Sequence, residues 1–90
     1  MIMSKQEFQI TSGLEGTTLQ LWIDQEWLIP GDSPGGPTFS DADVARARLI
    51  QNLKHDFGVN DEGIDLVLHL MDQLHGMRHA LALLQSEVWR

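Results

Sequence analysis

The residues best spaced for chemistry are Asp72, His75 and His79, which fall one helical turn apart on a common face. One carboxylate and two imidazoles are donors that suit Zn²⁺. A tetrahedral site needs a fourth ligand, however, and the chain supplies no clear one; it has no cysteine. The trio also lies off the apolar stripe of its helix, so we read these as surface residues and expect no metal. No nucleophile motif is present. Ser and Thr sit at helix caps and turns, and Gly35-Gly36 belongs to a Pro-rich turn rather than to a phosphate loop preceding a helix. The acids gather at helix starts, where a structural role is sufficient. We therefore expect no enzyme and no cofactor, and a function carried by charge and apolar contact.

Charge is the informative quantity. Thirteen acids face six bases in 90 residues, for a formal net charge of −7. The bases are Lys5, Arg46, Arg48, Lys54, Arg78 and Arg90, and none lies between Gln6 and Ala45. Nucleic-acid affinity rests on neutralising phosphates with Lys and Arg, so a net-negative chain binds DNA only through a concentrated basic patch. No apolar run approaches the roughly 20 residues of a membrane span. The start, Met1-Ile2-Met3-Ser4-Lys5, lacks the basic and apolar regions of a signal peptide. A cytoplasmic protein with no membrane partner is the expectation. So short a chain has a modest core, which makes self-association reasonable.

The elements that place these residues are mostly helical. Residues 1–3 suit a stub strand. Ser4 and Glu7 form a capping-box signature, which predicts a helix over about Lys5 to Ser12 closed by Gly13. Thr17 or Thr18 is the expected cap of a second helix, with Leu19, Trp22 and Ile23 on one apolar face. That helix should end near Trp27, because Pro30 cannot continue it. Two short helices and a Gly turn make a helix-turn-helix. Residues 30–37 are dense in turn formers, and Leu28-Ile29 with Thr38-Phe39 are candidates for a two-stranded wing around them. An irregular linker is the other reading. Ser40 caps a third helix whose buried stripe is expected to be Val44, Leu49, Ile50, Leu53 and Phe57, ending at Gly58. Trp22 and Trp27 are expected in the core, although an aromatic here also suits a partner interface.

Asn60 then caps a fourth helix of about 29 residues, roughly 43 Å long at the helical rise per residue. Val67, Leu70, Leu74, Met77, Leu81, Leu84 and Val88 keep alternating spacings of three and four, an unbroken heptad seam. Each such side chain contributes about 1.5–3 kcal/mol when well buried, so the seam rivals the roughly 5–15 kcal/mol of a whole small domain. The first half has a second apolar face in Ile64, Leu68 and Met71, suited to packing on the chain's own helices. The narrower second half suits a partner helix. We expect a homodimer through Leu74, Met77, Leu81, Leu84 and Val88, in two regions: 1–58, a winged helix-turn-helix-like module, and 59–90, a coiled-coil helix.

The outline Gly13-Leu-Glu-Gly-Thr-Thr-Leu19, Trp22, Trp27-Leu-Ile-Pro30 and Thr38-Phe-Ser40 resembles the winged helix-turn-helix of the MerR regulators along essentially the whole chain. The resemblance implies a mainly α fold with at most a small β wing and a long dimerisation helix that pairs antiparallel. It also marks two departures. Gln20 stands where the Thr-Leu-Arg motif has its Arg. Pro37 stands where the wing has its Arg, after Gly36 in place of an aromatic. In DNA-binding members those arginines contact phosphate. One branch fits better. Leu19-x-x-Trp22-Ile-x-x-x-Trp27-Leu-Ile-Pro30, the run from Phe39 to Arg48, and Gly58 through Ile64 into Leu68–Leu74 resemble CbpM-type chaperone modulators. That resemblance implies a partner in the J-domain of a DnaJ-like, CbpA-type co-chaperone, and inhibition of it. An acidic competitor suits the basic helix of a J-domain. On that reading Glu15, Trp22, Asp24 and Glu26 are the candidate partner-binding residues, the acids steering the encounter. The alternative is a MerR-like DNA-binding transcription regulator relying on Arg46, Arg48 and Lys54. A third is a dimeric adaptor for an unrelated protein.

Overall fold

The computed structural model describes the backbone of residues 1–88 and side chains through Ser86. Seven elements follow in order: β1 (Ile2–Ser4), α1 (Lys5–Ser12), α2 (Gly16–Asp24), β2 (Gly31–Ser33), β3 (Gly36–Ser40), α3 (Asp41–His55) and α4 (Asp61–Val88). The chain divides into two compact units, residues 1–59 and residues 60–90. The fold is mainly α, with a small sheet and a long C-terminal helix.

In the first unit, the predicted capping box forms. Ser4 Oγ accepts from the Glu7 amide and Glu7 Oε1 accepts from the Ser4 amide, both at 3.2 Å. Gly13 closes α1 at φ 76°, its N–H donating to the Gln9 carbonyl. Glycine, lacking a Cβ, takes this left-handed conformation without strain, and α2 begins three residues later. Ser40 caps α3 in the same way, with Asp43 returning the bond to the Ser40 amide at 2.8 Å. The core gathers Met3, Phe8, Leu14, Leu19, Trp22, Trp27, Leu28, Phe39, Val44, Ala47 and Ile50. Phe8 of α1 stacks on Phe39 of β3, with ring centroids 4.3 Å apart. This ties the first helix to the central strand of the sheet.

That sheet corrects the expected wing. Its strand order is β1-β3-β2, with both pairs antiparallel. The stub strand at the N-terminus is real and pairs Met3 with Phe39. The wing partner is Gly31–Ser33, within the turn-rich stretch, and not Leu28-Ile29; Thr38 faces Gly31. The amides of Trp27 and Leu28 are already committed to the Trp22 carbonyl, closing α2, and Leu28 is buried while Ile29 is 73% exposed. A strand exposed on both faces needs only backbone pairing, which Gly, Asp and Ser can supply. Gly31 also fits because a Cβ there would lie 2.8 Å from Thr38 Oγ1.

Two helix boundaries and one core stripe also differ. α2 starts at Gly16 with Glu15 at the N-cap, so neither Thr17 nor Thr18 caps it, and it ends at Asp24. The Glu15 carbonyl accepts from Leu19, which places both threonines inside the first helical turn. In α3 the buried positions are Val44, Ala47 and Ile50, with Leu49 and Leu53 half-buried. Phe57 is 74% exposed, because the helix stops at His55 and the stripe cannot extend past it.

α4, by itself, is a continuous helix of 28 residues through Gly76. Asn60 Oδ1 accepts from the Gly63 amide at 2.8 Å, the expected cap. Ile64 and Leu68 are buried, whereas Met71 is exposed. Every described side chain from His69 to Ser86 is exposed. Among the described residues, no helix is long and apolar enough to cross a membrane.

Candidate functional site

The second helix of a helix-turn-helix is the element such modules present to their target. Here α2 buries Leu19 and Trp22 and turns Thr17, Gln20, Leu21 and Asp24 outward, at the i, i+3, i+4, i+7 spacing of one helical face. Leu21 is 51% exposed. Gln20 Nε2 donates to Asp24 Oδ1 at 2.9 Å, an i,i+4 pair that fixes the carboxylate beside Leu21. Glu15 sits at the N-terminal end of the helix without making a side-chain capping bond. Glu26 stands past its C-terminal end at φ 61°. Three of the four expected partner-binding residues, Glu15, Asp24 and Glu26, are therefore exposed at the two ends of α2. Trp22 differs. It is 3% exposed, packed 6.0 Å from Trp27 between ring centroids, so it shapes the surface from beneath.

The electrostatics of the module are one-sided. Residues 6–45 hold Glu7, Glu15, Asp24, Glu26, Asp32, Asp41 and Asp43 and no Lys, Arg or His. The remaining six acids and six bases of the chain balance, so this segment carries the whole formal net charge of −7. Four of its acids have local duties. Glu7 and Asp43 close capping boxes, Asp41 pairs with the N-terminal ammonium at 3.1 Å, and Asp24 accepts from Gln20. The side chains of Glu15, Glu26 and Asp32 make no hydrogen bond or ion pair among the described residues.

Two of the cations that follow this segment, Arg46 and Lys54, have structural work. Arg46 is half-buried and its Nε donates to the Trp27 carbonyl at 2.6 Å. Lys54 is half-buried as well, with Nζ 5.5 Å from the centre of the Trp27 ring, within cation–π range. Both therefore meet at the tryptophan that follows α2, one at its backbone and one at its ring. Arg48 is exposed, two residues from Arg46 and so on another face of α3. Nothing in the composition signalled the Arg46–Trp27 contact, which joins residues 19 apart in sequence.

On α4, Leu70, Leu74, Met77, Leu81 and Leu84 are 48–65% exposed, an apolar row of heptad spacing. The side chain of Val88 lies outside the described residues. Asp72, His75 and His79 are exposed on the same helix, and the described residues contain no group of three His, Asp or Glu side chains placed to hold a metal.

A short helix-turn-helix, a three-stranded wing and a long helix with an apolar row define a winged helix-turn-helix regulator. The profile described as MerR HTH family regulatory protein matches residues 3–86, and the chain belongs to that family. Neither the curated proteins nor the solved structures contain a significant match.

Proposed function

We propose that this regulator acts on a protein rather than on DNA, binding the J-domain of a DnaJ-like co-chaperone and inhibiting it, as CbpM-type modulators do. One observation carries the reading. Residues 6–45, which include α2 and the wing, hold no cation, and Arg46 and Lys54 of α3 are engaged at Trp27. A surface that offers carboxylates and Leu21 repels a polyanion and attracts a basic polypeptide. The role is binding without catalysis, in the cytoplasm, as a homodimer paired through the exposed row on α4. Burial of that row in a two-fold coiled coil removes several large apolar side chains per copy from water.

Family membership favours a second reading, a DNA-binding transcription regulator with Arg48 and the ends of α3 at the backbone. The two separate in paired titrations. Isolated J-domain added to the ¹⁵N-labelled protein should shift amides over residues 15–30, while duplex DNA at low salt leaves them in place. Micromolar, salt-sensitive DNA binding with no response to the J-domain reverses the assignment.

A further inference from the structure

Three features of α2 run against what stabilises a helix. Its N-cap makes no side-chain bond, whereas Ser4 and Ser40 cap α1 and α3. Beyond the N-cap Glu15 it has no acid in its first turn, and Asp24, its last residue, and Glu26, two beyond, stand at the end where the helix dipole disfavours them. Glu26 is the one non-glycine residue at positive φ among the described residues, in the conformation that Gly13 takes at the end of α1. In the middle of the same outward face lies a half-exposed leucine. Local bonds account for part of this arrangement. Asp24 accepts from Gln20, and the amides of Glu26 and Trp27 donate to the carbonyls of Ile23 and Trp22, closing α2 through a left-handed residue. They do not require a glutamate there. The shared effect of the three features is to frame an apolar side chain with carboxylates at both ends.

We propose that this face docks an amphipathic helix that sets an apolar side chain against Leu21 and places Lys or Arg at either end, one toward Glu15 and another toward Asp24 and Glu26. The inference rests on the reading that the module binds a basic polypeptide. It goes further in assigning Leu21 as the apolar anchor and Glu26 as a contact residue whose backbone position would suit glycine better. The occupant follows from charge and length. Residues 6–45 supply no cation, so the cations come from the partner. The nine residues of α2 span about 14 Å, which matches between two and three turns of a helix laid alongside.

The test uses the full chain as wild type and as Leu21→Ser, Glu26→Gly, Asp24→Asn and, as a control outside the face, Glu62→Gln, each checked for folding by circular dichroism. Each is titrated with an isolated J-domain and, separately, with a synthetic helical peptide carrying a Leu between Lys residues two turns apart. Leu21→Ser should weaken both complexes at least about tenfold, the loss expected of a buried leucine contact. Glu26→Gly should raise the melting temperature and yet weaken binding, a combination that a purely structural residue would not give. Asp24→Asn should also weaken binding, which keeps the test alive if Leu21→Ser misfolds; Glu62→Gln should bind as wild type. Wild-type J-domain binding that none of the three face variants alters would overturn the docking face and leave the proposed function standing. Peptide binding that depends on Leu21, with no response to the J-domain, would keep the face and remove that partner. Failure of both ligands overturns both.

Discussion

Trp27 concentrates the residue-scale chemistry of the module. Its amide donates to the Trp22 carbonyl, its own carbonyl accepts from Arg46, and its ring receives Lys54. A charge-assisted bond to a backbone oxygen in a partly buried place is worth about 1.5–3 kcal/mol, so Arg46→Ala should destabilise by that order in urea unfolding followed by tryptophan fluorescence. Loss of the cation over the Trp27 ring in Lys54→Met should cost about 0.5–1 kcal/mol in the same assay. At Glu26 the sign is opposite. Relief of a left-handed non-glycine backbone outweighs the added entropy of glycine in the unfolded chain, so Glu26→Gly should stabilise by about 0.5–1 kcal/mol in thermal denaturation. The cations that the sequence offers to a phosphate backbone are thus, for Arg46 and Lys54, parts of the fold.

At the scale of elements, caps and stacking hold the module together. Ser40 accepts the Asp43 amide and Asp43 answers the Ser40 amide, so Ser40→Ala should cost about 1 kcal/mol by loosening the first turn of α3. Phe8 and Phe39 are almost wholly buried and stacked, and through them α1 grips the middle strand. Phe39→Ala should cost about 3–5 kcal/mol, a large share of a small domain's stability, and should be visible as loss of the cooperative unfolding transition. The Ser4–Glu7 and Ser40 caps and the Asn60 cap were readable because each depends on residues within three positions. The wing strand was not. Its pairing was decided by which amides α2 had already used, and an apolar pair, Leu28-Ile29, looked the better strand from its side chains alone.

For the molecule as a whole, two quantities govern behaviour: a net charge of −7 confined to residues 6–45, and an uncovered apolar row on α4. A charged encounter surface makes partner binding salt-sensitive, so raising ionic strength should slow association with the proposed partner, a J-domain, more than it speeds dissociation, in stopped-flow measurements. The row predicts self-association. Met77→Glu with Leu81→Glu places two charges in the middle of the seam and should shift sedimentation from dimer to monomer while leaving the circular dichroism of the module's sheet and caps intact. A monomeric wild type would remove the homodimer.

The sequence by itself determined what local physics controls. Capping residues, the Gly13 turn, the heptad period of α4 and the absence of cations from residues 6–45 are all properties of neighbours along the chain. They were enough to read a mainly helical chain with a helix-turn-helix, while its departures from a DNA-gripping surface at Gln20 and Pro37 are what the resemblance to the MerR regulators implies. Tertiary structure alone decided which strand completes the wing, that Phe57 falls outside the core, and that Arg46 and Lys54 converge on Trp27. Each of these joins residues distant in sequence or depends on which backbone groups remain unpaired once neighbouring elements have formed. Such competition for amides and for buried volume is settled only when the whole module packs.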